Sequence, residues 1–136
     1  MEKLGEKPDN VVLAIKFLWG TVALQIAKVV TVGLTQGDKH YDAASLLSVT
    51  LLALLSTIIP IFIIMKITAG KNWARLVFLL IFFLSMSRVS TILKSIDQPD
   101  SLYALICLAQ YSLEFVAAFL LLSKPANQWF GAFKTA

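Results

Sequence analysis

Two charged side chains lie inside long apolar stretches of this sequence. Arg88 interrupts FFLSMSRVSTILKS (residues 82–95), and Glu114 interrupts LAQYSLEFVAAFLLL (residues 108–122). An unpaired arginine near the middle of a bilayer is unfavourable by roughly 3 kcal/mol, so such a residue needs a partner or water. Counted from the same end of two antiparallel helices, Arg88 would lie about 18 Å deep and Glu114 about 14 Å deep. We therefore expect an Arg88–Glu114 ion pair.

Further polar side chains recur at the spacing of one helix face. They form four groups, one in each apolar stretch: Thr21, Gln25 and Lys28; Ser48 and Ser56; Arg88, Thr91 and Ser95; Tyr103, Cys107, Gln110 and Glu114. One interpretation is that they form hydrogen bonds between helices, each contributing about 1 kcal/mol or less. The other is that they line a small cavity for an anion or a polar lipid headgroup, because Lys28 and Arg88 outnumber Glu114. The residue types alone leave both interpretations open.

No residue pattern in the sequence predicts covalent catalysis, a metal site or a cofactor site. There is no GxSxG elbow, no HExxH pair and no phosphate-binding glycine loop. The single cysteine, Cys107, excludes an internal disulfide and a CxxC redox pair, and the single histidine, His40, argues against a His/Cys metal site. We therefore expect that the protein is not an enzyme.

The amino-acid composition indicates a membrane protein. Of the 136 residues, 58% are hydrophobic and only 15% are charged, and the mean hydropathy is +0.79. Soluble domains carry about 25% charged residues, so a soluble protein of this composition would lack a polar surface. The net charge of +4 comes from basic residues near the ends of apolar stretches and not from a dense basic patch. We therefore expect the lipid bilayer as a partner and no binding of nucleic acid.

Four apolar segments have roughly the 20 residues needed to cross about 30 Å of hydrocarbon. They cover residues 11–34, 45–65, 76–96 and 102–122. Because hydrocarbon offers the backbone no hydrogen-bond partners, each segment should be a helix. The sequence thus predicts an all-α integral membrane four-helix bundle, as a single domain over residues 1–136. The short DQPDS connection should make the last two spans antiparallel neighbours.

The basic residues predict the orientation of this bundle. Seven of them would lie on one side of the membrane, at the two termini and in the 66–75 loop: Lys3, Lys7, Lys66, Lys71, Arg75, Lys124 and Lys134. The other side would hold Lys39 and, if its side chain reaches the surface, Lys94. Because basic residues concentrate in cytoplasmic segments, we expect both termini in the cytoplasm and the protein in a bacterial inner membrane.

Tryptophans and basic residues close to the predicted membrane surfaces are candidates for interfacial anchors. This group comprises Trp19, Lys71, Trp73, Arg75 and Trp129. Tryptophan favours the headgroup region, and lysine or arginine can contact lipid phosphate. The same residues could instead form a cytoplasmic face that binds a partner, and the sequence does not decide between the two roles.

Several of these strings resemble a known family, the small and poorly characterised four-span membrane proteins of proteobacteria. The shared features are a proline before the first span, an LLW-like string within it, a GxNWAR loop and a P…WF end. They correspond here to Pro8, residues 17–19 (FLW), residues 70–75 (GKNWAR), Pro125 and residues 129–130 (WF). The similarity covers nearly the whole chain, and the NWAR loop is its most specific element. It implies an inner-membrane location but no mechanism, because the shared pattern includes neither intramembrane charge.

Two functions are consistent with these observations. The first is a non-enzymatic protein that acts through association of membrane helices, in assembly, interaction or immunity to a toxin. Such a protein would form a homo-oligomer or bind another membrane protein. The second is a small oligomeric carrier or channel for an anion or a polar lipid headgroup, with Lys28, Arg88 and Glu114 along its path.

Overall fold

The computed structural model describes residues 6–36, 42–94, 96 and 101–132. Within these ranges the chain forms helices joined by short turns, and they contain no strand. In chain order the helices are α1 (Asp9–Gln36), α2 (Ala43–Thr68), α3 (Asn72–Met86), α4 (Val89–Lys94), α5 (Ser101–Leu121) and α6 (Lys124–Ala132). The prediction of an all-α chain is confirmed for the described residues.

Three helices in the described ranges are long and apolar enough to cross a membrane: α1, α2 and α5. Their apolar residues need lipid or another apolar surface, because few of them are buried within the chain itself. Residues 11–34, 45–65 and 102–122, which the sequence predicts as spans, coincide with these three helices to within a few residues.

The predicted span over residues 76–96 is not one helix, because the chain turns between α3 and α4. The turn lies at Ser87 and Arg88, where the Arg88 amide donates to the Ser85 carbonyl at 3.0 Å. Ser85 Oγ donates to the Ile81 carbonyl, and Ser87 Oγ donates to the Leu84 carbonyl, both at 2.8 Å. Serine hydroxyls that donate to backbone carbonyls of their own helix can bend that helix and weaken its backbone hydrogen bonds. This closely spaced serine pair is therefore a physical cause of the break.

The main buried core lies at one end of the bundle. It joins the first half of α1, the C-terminal ends of α2 and α5, the start of α3 and one face of α6. Its largest fully buried side chains are Phe130, Leu18, Ile67, Leu121 and Val11. A smaller cluster of Leu79, Phe82 and Ala118 joins α3 to α5, as expected for neighbouring helices. The opposite end has much less buried apolar surface.

Helix α6 contributes its whole apolar face to this core. Ala126, Trp129 and Phe130 are buried, and the Trp129 and Phe130 rings contact each other with centroids 4.8 Å apart. Trp129, which the sequence suggests as an interfacial anchor, thus packs inside the bundle. The signal for this helix is present in the sequence: Pro125 suits a first helical turn, and positions 126, 129 and 130 lie on one face.

Arg75 fastens α3 to the C-terminal end of α5 and to α6. Its Nη1 donates to Asn127 Oδ1 at 2.6 Å and to the Leu121 carbonyl at 3.3 Å. The guanidinium also lies 4.9 Å from the centre of the Phe130 ring. The last carbonyls of a helix lack partners within it, so Arg75 satisfies one such group of α5. Arg75, which the sequence also suggests as an interfacial anchor, thus connects three helices, and its anchoring role stays a prediction.

Helix α2 diverges from the other helices over most of its length. Its buried residues are Ile63, Ile64 and Ile67, all C-terminal to Pro60. Before Pro60 the leucines and isoleucines of α2 are mostly exposed. By contrast, α1 and α5 approach closely: a Cβ added to Gly20 would lie 3.3 Å from Leu113 Cδ1. The bundle is therefore tight at the α6 end and open between α1 and α2.

Replacing Arg75 by leucine should destabilise the fold by roughly 1–2 kcal/mol, because two charge-assisted hydrogen bonds are lost. A double-mutant cycle with Asn127→Ala, measured by chemical unfolding in detergent, isolates the contact between these two side chains. We expect a coupling free energy well above zero. Lys71→Leu, a substitution of an exposed neighbouring cation, is the matched control and should leave stability nearly unchanged. Equal effects of Arg75→Leu and Lys71→Leu would refute the connecting role of Arg75.

The first turn of α2 should depend on pH through Asp42. The Asp42 carboxylate accepts hydrogen bonds from the Ser45 hydroxyl and from the Ser45 amide, and these bonds lower the pKa of Asp42 below its ordinary value of 3.8. The cap is thus fully formed above that ordinary pKa and is lost as the pH falls through the lower folded-state pKa. NMR shifts of residues 43–46 should report this loss. Asp42→Asn, which keeps an acceptor but does not titrate, should remove the pH dependence.

Candidate functional site

Polar residues of α1 and α5 meet on the face where these two helices pack. Lys28 lies within electrostatic range of Glu114 and Cys107, and Tyr103 lies close enough to Cys107 to interact with it electrostatically. Gln110 Nε2 donates to Glu114 Oε1 at 2.9 Å. We call Lys28, Tyr103, Cys107, Gln110 and Glu114 the polar cluster. The structure therefore brings together three of the polar-core residues expected from the sequence: Lys28, Gln110 and Glu114.

The polar cluster lies on the same stripe of α5 that packs against α1. Small buried residues accompany it on this helix: Ala104 near one end, and Ala117 and Ala118 near the other. Small side chains allow two helices to approach closely in a membrane. The close approach holds the polar groups half-buried between the helices and away from much of the surrounding lipid.

Two polar groups of the polar cluster lack a hydrogen-bond partner among the described residues. Gln110 Oε1 is buried and has no hydrogen-bond partner among the described residues. Lys28 lies near Glu114, yet in the described ranges its ammonium group forms neither a hydrogen bond nor an ion pair. One acceptor and one cation thus remain available to water or to a ligand. Unpaired polar groups in a membrane protein commonly mark such sites.

Gln25 connects α1 to α2 next to this cluster. Its Nε2 donates to Ser56 Oγ at 2.9 Å, and Ser56 Oγ donates in turn to the Ala53 carbonyl at 2.9 Å. Ser56 thus joins the polar centre as the sequence suggests. Ser48 does not, because it is exposed and donates to the Ala44 carbonyl of its own helix.

A groove of about 580 Å³ opens between α1 and α2, and we call it the α1–α2 groove. Its walls are mainly apolar, and within the described part of the chain Lys28 is the one charged residue that lines it. Gln25 lies in its wall, and Tyr103 reaches it from α5. Ligand pockets have volumes of about 300–1,000 Å³, so this groove is large enough to hold a small molecule or an acyl chain.

Arg88 lies apart from Glu114 in this structure. It is exposed at the turn between α3 and α4, and it forms no salt bridge with Glu114. Arg88 lies within electrostatic range of the hydroxyls of Tyr103 and Tyr111. The expected Arg88–Glu114 pair is absent from this single chain because the turn interrupts the helix at Arg88 and because Glu114 is bonded to Gln110. Sequence reasoning missed both features.

The remaining anchor candidates differ in their surroundings. Trp19 and Trp73 are 46% and 47% exposed, and Lys71 is exposed at the start of α3. The Trp73 ring also lies against Phe62, with centroids 6.4 Å apart. A half-exposed tryptophan near a helix end, such as Trp73 at the start of α3, is compatible with the headgroup region. Trp19 lies ten residues, about 15 Å, inside α1, so its anchoring role stays a prediction from the sequence.

No group of His, Cys, Asp or Glu side chains in the described ranges could hold a metal ion. No protein-family model, curated protein or solved structure matches the chain. The resemblance to four-span proteobacterial proteins therefore stays a prediction, and function has to be argued from the geometry.

Leucine substitutions of Arg88 and Glu114 should have unequal, additive effects on thermal stability in detergent. Glu114→Leu removes the bond from Gln110 and should cost about 1 kcal/mol. Arg88→Leu removes no contact made within the chain and should change stability by less than about 0.5 kcal/mol. The double variant should equal the sum of the two, because the residues share no contact. Partial rescue in the double variant would show that the two side chains do pair.

Proposed function

We propose that this chain is a four-span bacterial inner-membrane protein with both termini in the cytoplasm, and that it acts without catalysis through association of membrane helices. In this proposal α1, α2 and α5 each form one span. Residues 72–94, which comprise α3, the turn and α4, form the other span, and as helix they would extend about 34 Å. The convergence of the start of α1, the loop after α2 and α6 at one end of the bundle supports this arrangement.

The observation that carries the proposal is the exposed Arg88. It lies about 18 Å from Leu76, where the predicted span begins, and no described residue pairs with it. Leaving a lone arginine in hydrocarbon costs roughly 3 kcal/mol. An acidic or polar group on a second protein chain would remove this cost, so the isolated chain is incomplete at this position.

The interrupted backbone at the same place gives an independent reason for a partner. A turn within the hydrocarbon region replaces the regular helical hydrogen bonds; here the Arg88 amide and the Ser87 hydroxyl bond to the Ser85 and Leu84 carbonyls, and lipid can supply no further partner. Such turns are stable in membranes only where protein or water covers them. Three large apolar residues on α3 lead up to the turn and are 60–66% exposed: Leu80, Phe83 and Leu84. We call these three residues with Arg88 the α3–α4 surface, and we propose it as the association surface.

A second copy of the chain is the simplest partner for the α3–α4 surface, and another membrane protein is the other. The immunity-type role that the sequence suggests is one form of the latter. In both cases recognition would occur largely within the bilayer, because the described loops are short. Packing and polar contacts would then set the affinity, since lipid removes the hydrophobic contribution to association.

The carrier or channel for an anion or polar headgroup is the alternative function. It requires Lys28, Arg88 and Glu114 along one path. The geometry supports it less well, because Lys28 and Glu114 lie between α1 and α5 whereas Arg88 lies at the α3–α4 turn. A carrier would lose anion flux in both Lys28→Met and Arg88→Leu without any change of its oligomeric state.

Self-association should weaken when Arg88 becomes leucine. We would label the purified protein with donor and acceptor fluorophores, reconstitute it in phospholipid vesicles and measure energy transfer as the protein-to-lipid ratio falls. The wild type should remain associated to dilutions roughly 5- to 30-fold beyond those tolerated by Arg88→Leu, since intramembrane polar contacts contribute about 1–2 kcal/mol. Lys16→Leu, which removes an exposed cation from α1, should behave as the wild type.

Two outcomes would contradict this proposal. A wild type that stays monomeric at every ratio would exclude self-association, and equal dilution curves for wild type and Arg88→Leu would exclude Arg88 from the contact. Circular dichroism of each variant should be unchanged, which ensures that altered energy transfer reports association and not unfolding.

A further inference from the structure

The α1–α2 groove is suited to an amphiphile. Its walls consist mainly of branched apolar side chains from the two helices: Val29, Val32, Leu46, Val49, Leu54 and Ile58. The residues that α2 contributes, from Leu46 to Ile58, extend about 18 Å along the helix axis. One leaflet of a bilayer is about 15 Å thick, half of the roughly 30 Å hydrocarbon core. The groove is therefore as long as a single lipid leaflet is deep.

The groove is open towards the surroundings of the bundle. Leu46, Val49, Leu54 and Ile58 are each 49–57% exposed, so their side chains line the groove without closing it. In a membrane-spanning arrangement of α1 and α2, this opening faces the acyl chains of neighbouring lipids. A lipid chain can then enter sideways from the bilayer, without passing through water.

Lys28 gives the groove a preference for negative charge. It is half-buried, it is the one charged side chain among the described residues that line the groove, and no described residue forms a hydrogen bond or ion pair with its ammonium group. Glu114 acts on it electrostatically from α5 but is itself bonded to Gln110. The lysine side chain is long enough to reach towards the headgroup level while its methylenes stay in the groove.

We propose that the α1–α2 groove binds one acyl chain of an anionic phospholipid, with Lys28 contacting the phosphate. Tyr103, near the start of α5 in the same lining, is placed to donate a further hydrogen bond to the headgroup, whereas Gln25 lies deeper in the groove and bonds to Ser56. The groove shares no lining residue with the α3–α4 surface, although Tyr103 in its lining lies within electrostatic range of Arg88. Lipid binding in the groove can therefore be tested apart from the proposed self-association. It does rest on α1 and α2 crossing the membrane.

The test uses the full chain purified in a mild detergent and two phospholipids with the same acyl chains. Dioleoyl phosphatidylglycerol is the anionic probe, and dioleoyl phosphatidylcholine is the zwitterionic one. Native mass spectrometry counts the phospholipids retained by each protein molecule. The wild type should retain one phosphatidylglycerol in roughly fivefold preference over phosphatidylcholine, as expected for one basic residue near an anionic headgroup.

Three variants make the result specific to the groove. Lys28→Met should abolish the preference between the two lipids, whereas Lys16→Met, at the other end of α1, should retain it. Ala53→Trp fills the groove and should reduce retention of both lipids. Thermal unfolding confirms that each variant is folded before its lipids are counted.

Several results would overturn the proposal. Equal retention of the two lipids by the wild type would do so, as would an unchanged preference in Lys28→Met. If Ala53→Trp altered the oligomeric state but not the bound lipid, the groove would belong to a contact between two copies. If inorganic phosphate displaced phosphatidylglycerol from the wild type, the anion alone would be the ligand and the apolar walls would play no part in binding.

Discussion

The close contact between α1 and α5 is the interaction on which the rest of the structure depends. It is possible because the facing residues are small: Ala14 and Gly20 on α1, and Ala104 and Ala117 on α5. Membrane helices associate through packing and polar contacts, so a smooth interface of small side chains is a stable starting point. The same contact brings Lys28 near Glu114, which places the polar cluster at a helix interface and not in lipid.

The asymmetry of the bundle follows from this contact and from where the large side chains lie. At the α6 end, Phe130, Leu121 and Ile67 fill the space around α1, and Arg75 joins three helices there. At the other end α2 has no comparable packing, and the Gln25–Ser56 hydrogen bond is its main polar contact with α1. A helix fixed at its C-terminal end and held by few contacts elsewhere leaves a groove beside it. The groove is thus a consequence of uneven packing along α2.

Helix positions could be read from the sequence, but the contacts between helices could not. Hydropathy alone located α1, α2 and α5, because a run of about 20 apolar residues has few alternatives to a helix in lipid. The break near Arg88 was missed, since apolar length carries no information about serine hydroxyls that bond back to the backbone. Trp129 was predicted to lie at the membrane surface from its residue type and its position after the last span alone. Its burial depends on α6 folding back onto α1, a contact between distant parts of the chain.

The candidate site was predictable only as a set of residue types. Spacing on one helix face correctly grouped Gln110 with Glu114, because that grouping is a property of a single helix. Which side chain reaches Glu114 also depends on how α3 is rotated about its own axis. Counting residues along a span gives the depth of a side chain in the membrane but not this rotation. Depth placed Arg88 and Glu114 at similar levels, yet Gln110 lies one turn from the carboxylate on the same helix and needs no second helix to reach it.

Lys28 and Arg88 have different physical surroundings, and this difference separates the roles proposed for them. Lys28 lies between helices, with a carboxylate nearby and an apolar groove beside it, so part of its charge is already offset. A ligand that reaches it must fit the groove, which favours a chain-bearing anion. Arg88 lies on the outer surface at a backbone turn, where a lone lipid could neutralise the charge but could not cover the interrupted helix. Protein or water could meet both needs together, and the proposed association supplies protein. Lipid binding at Lys28 and protein association at Arg88 are therefore compatible proposals for one chain, because Lys28 lies beside the α1–α2 groove whereas Arg88 lies at the turn between α3 and α4.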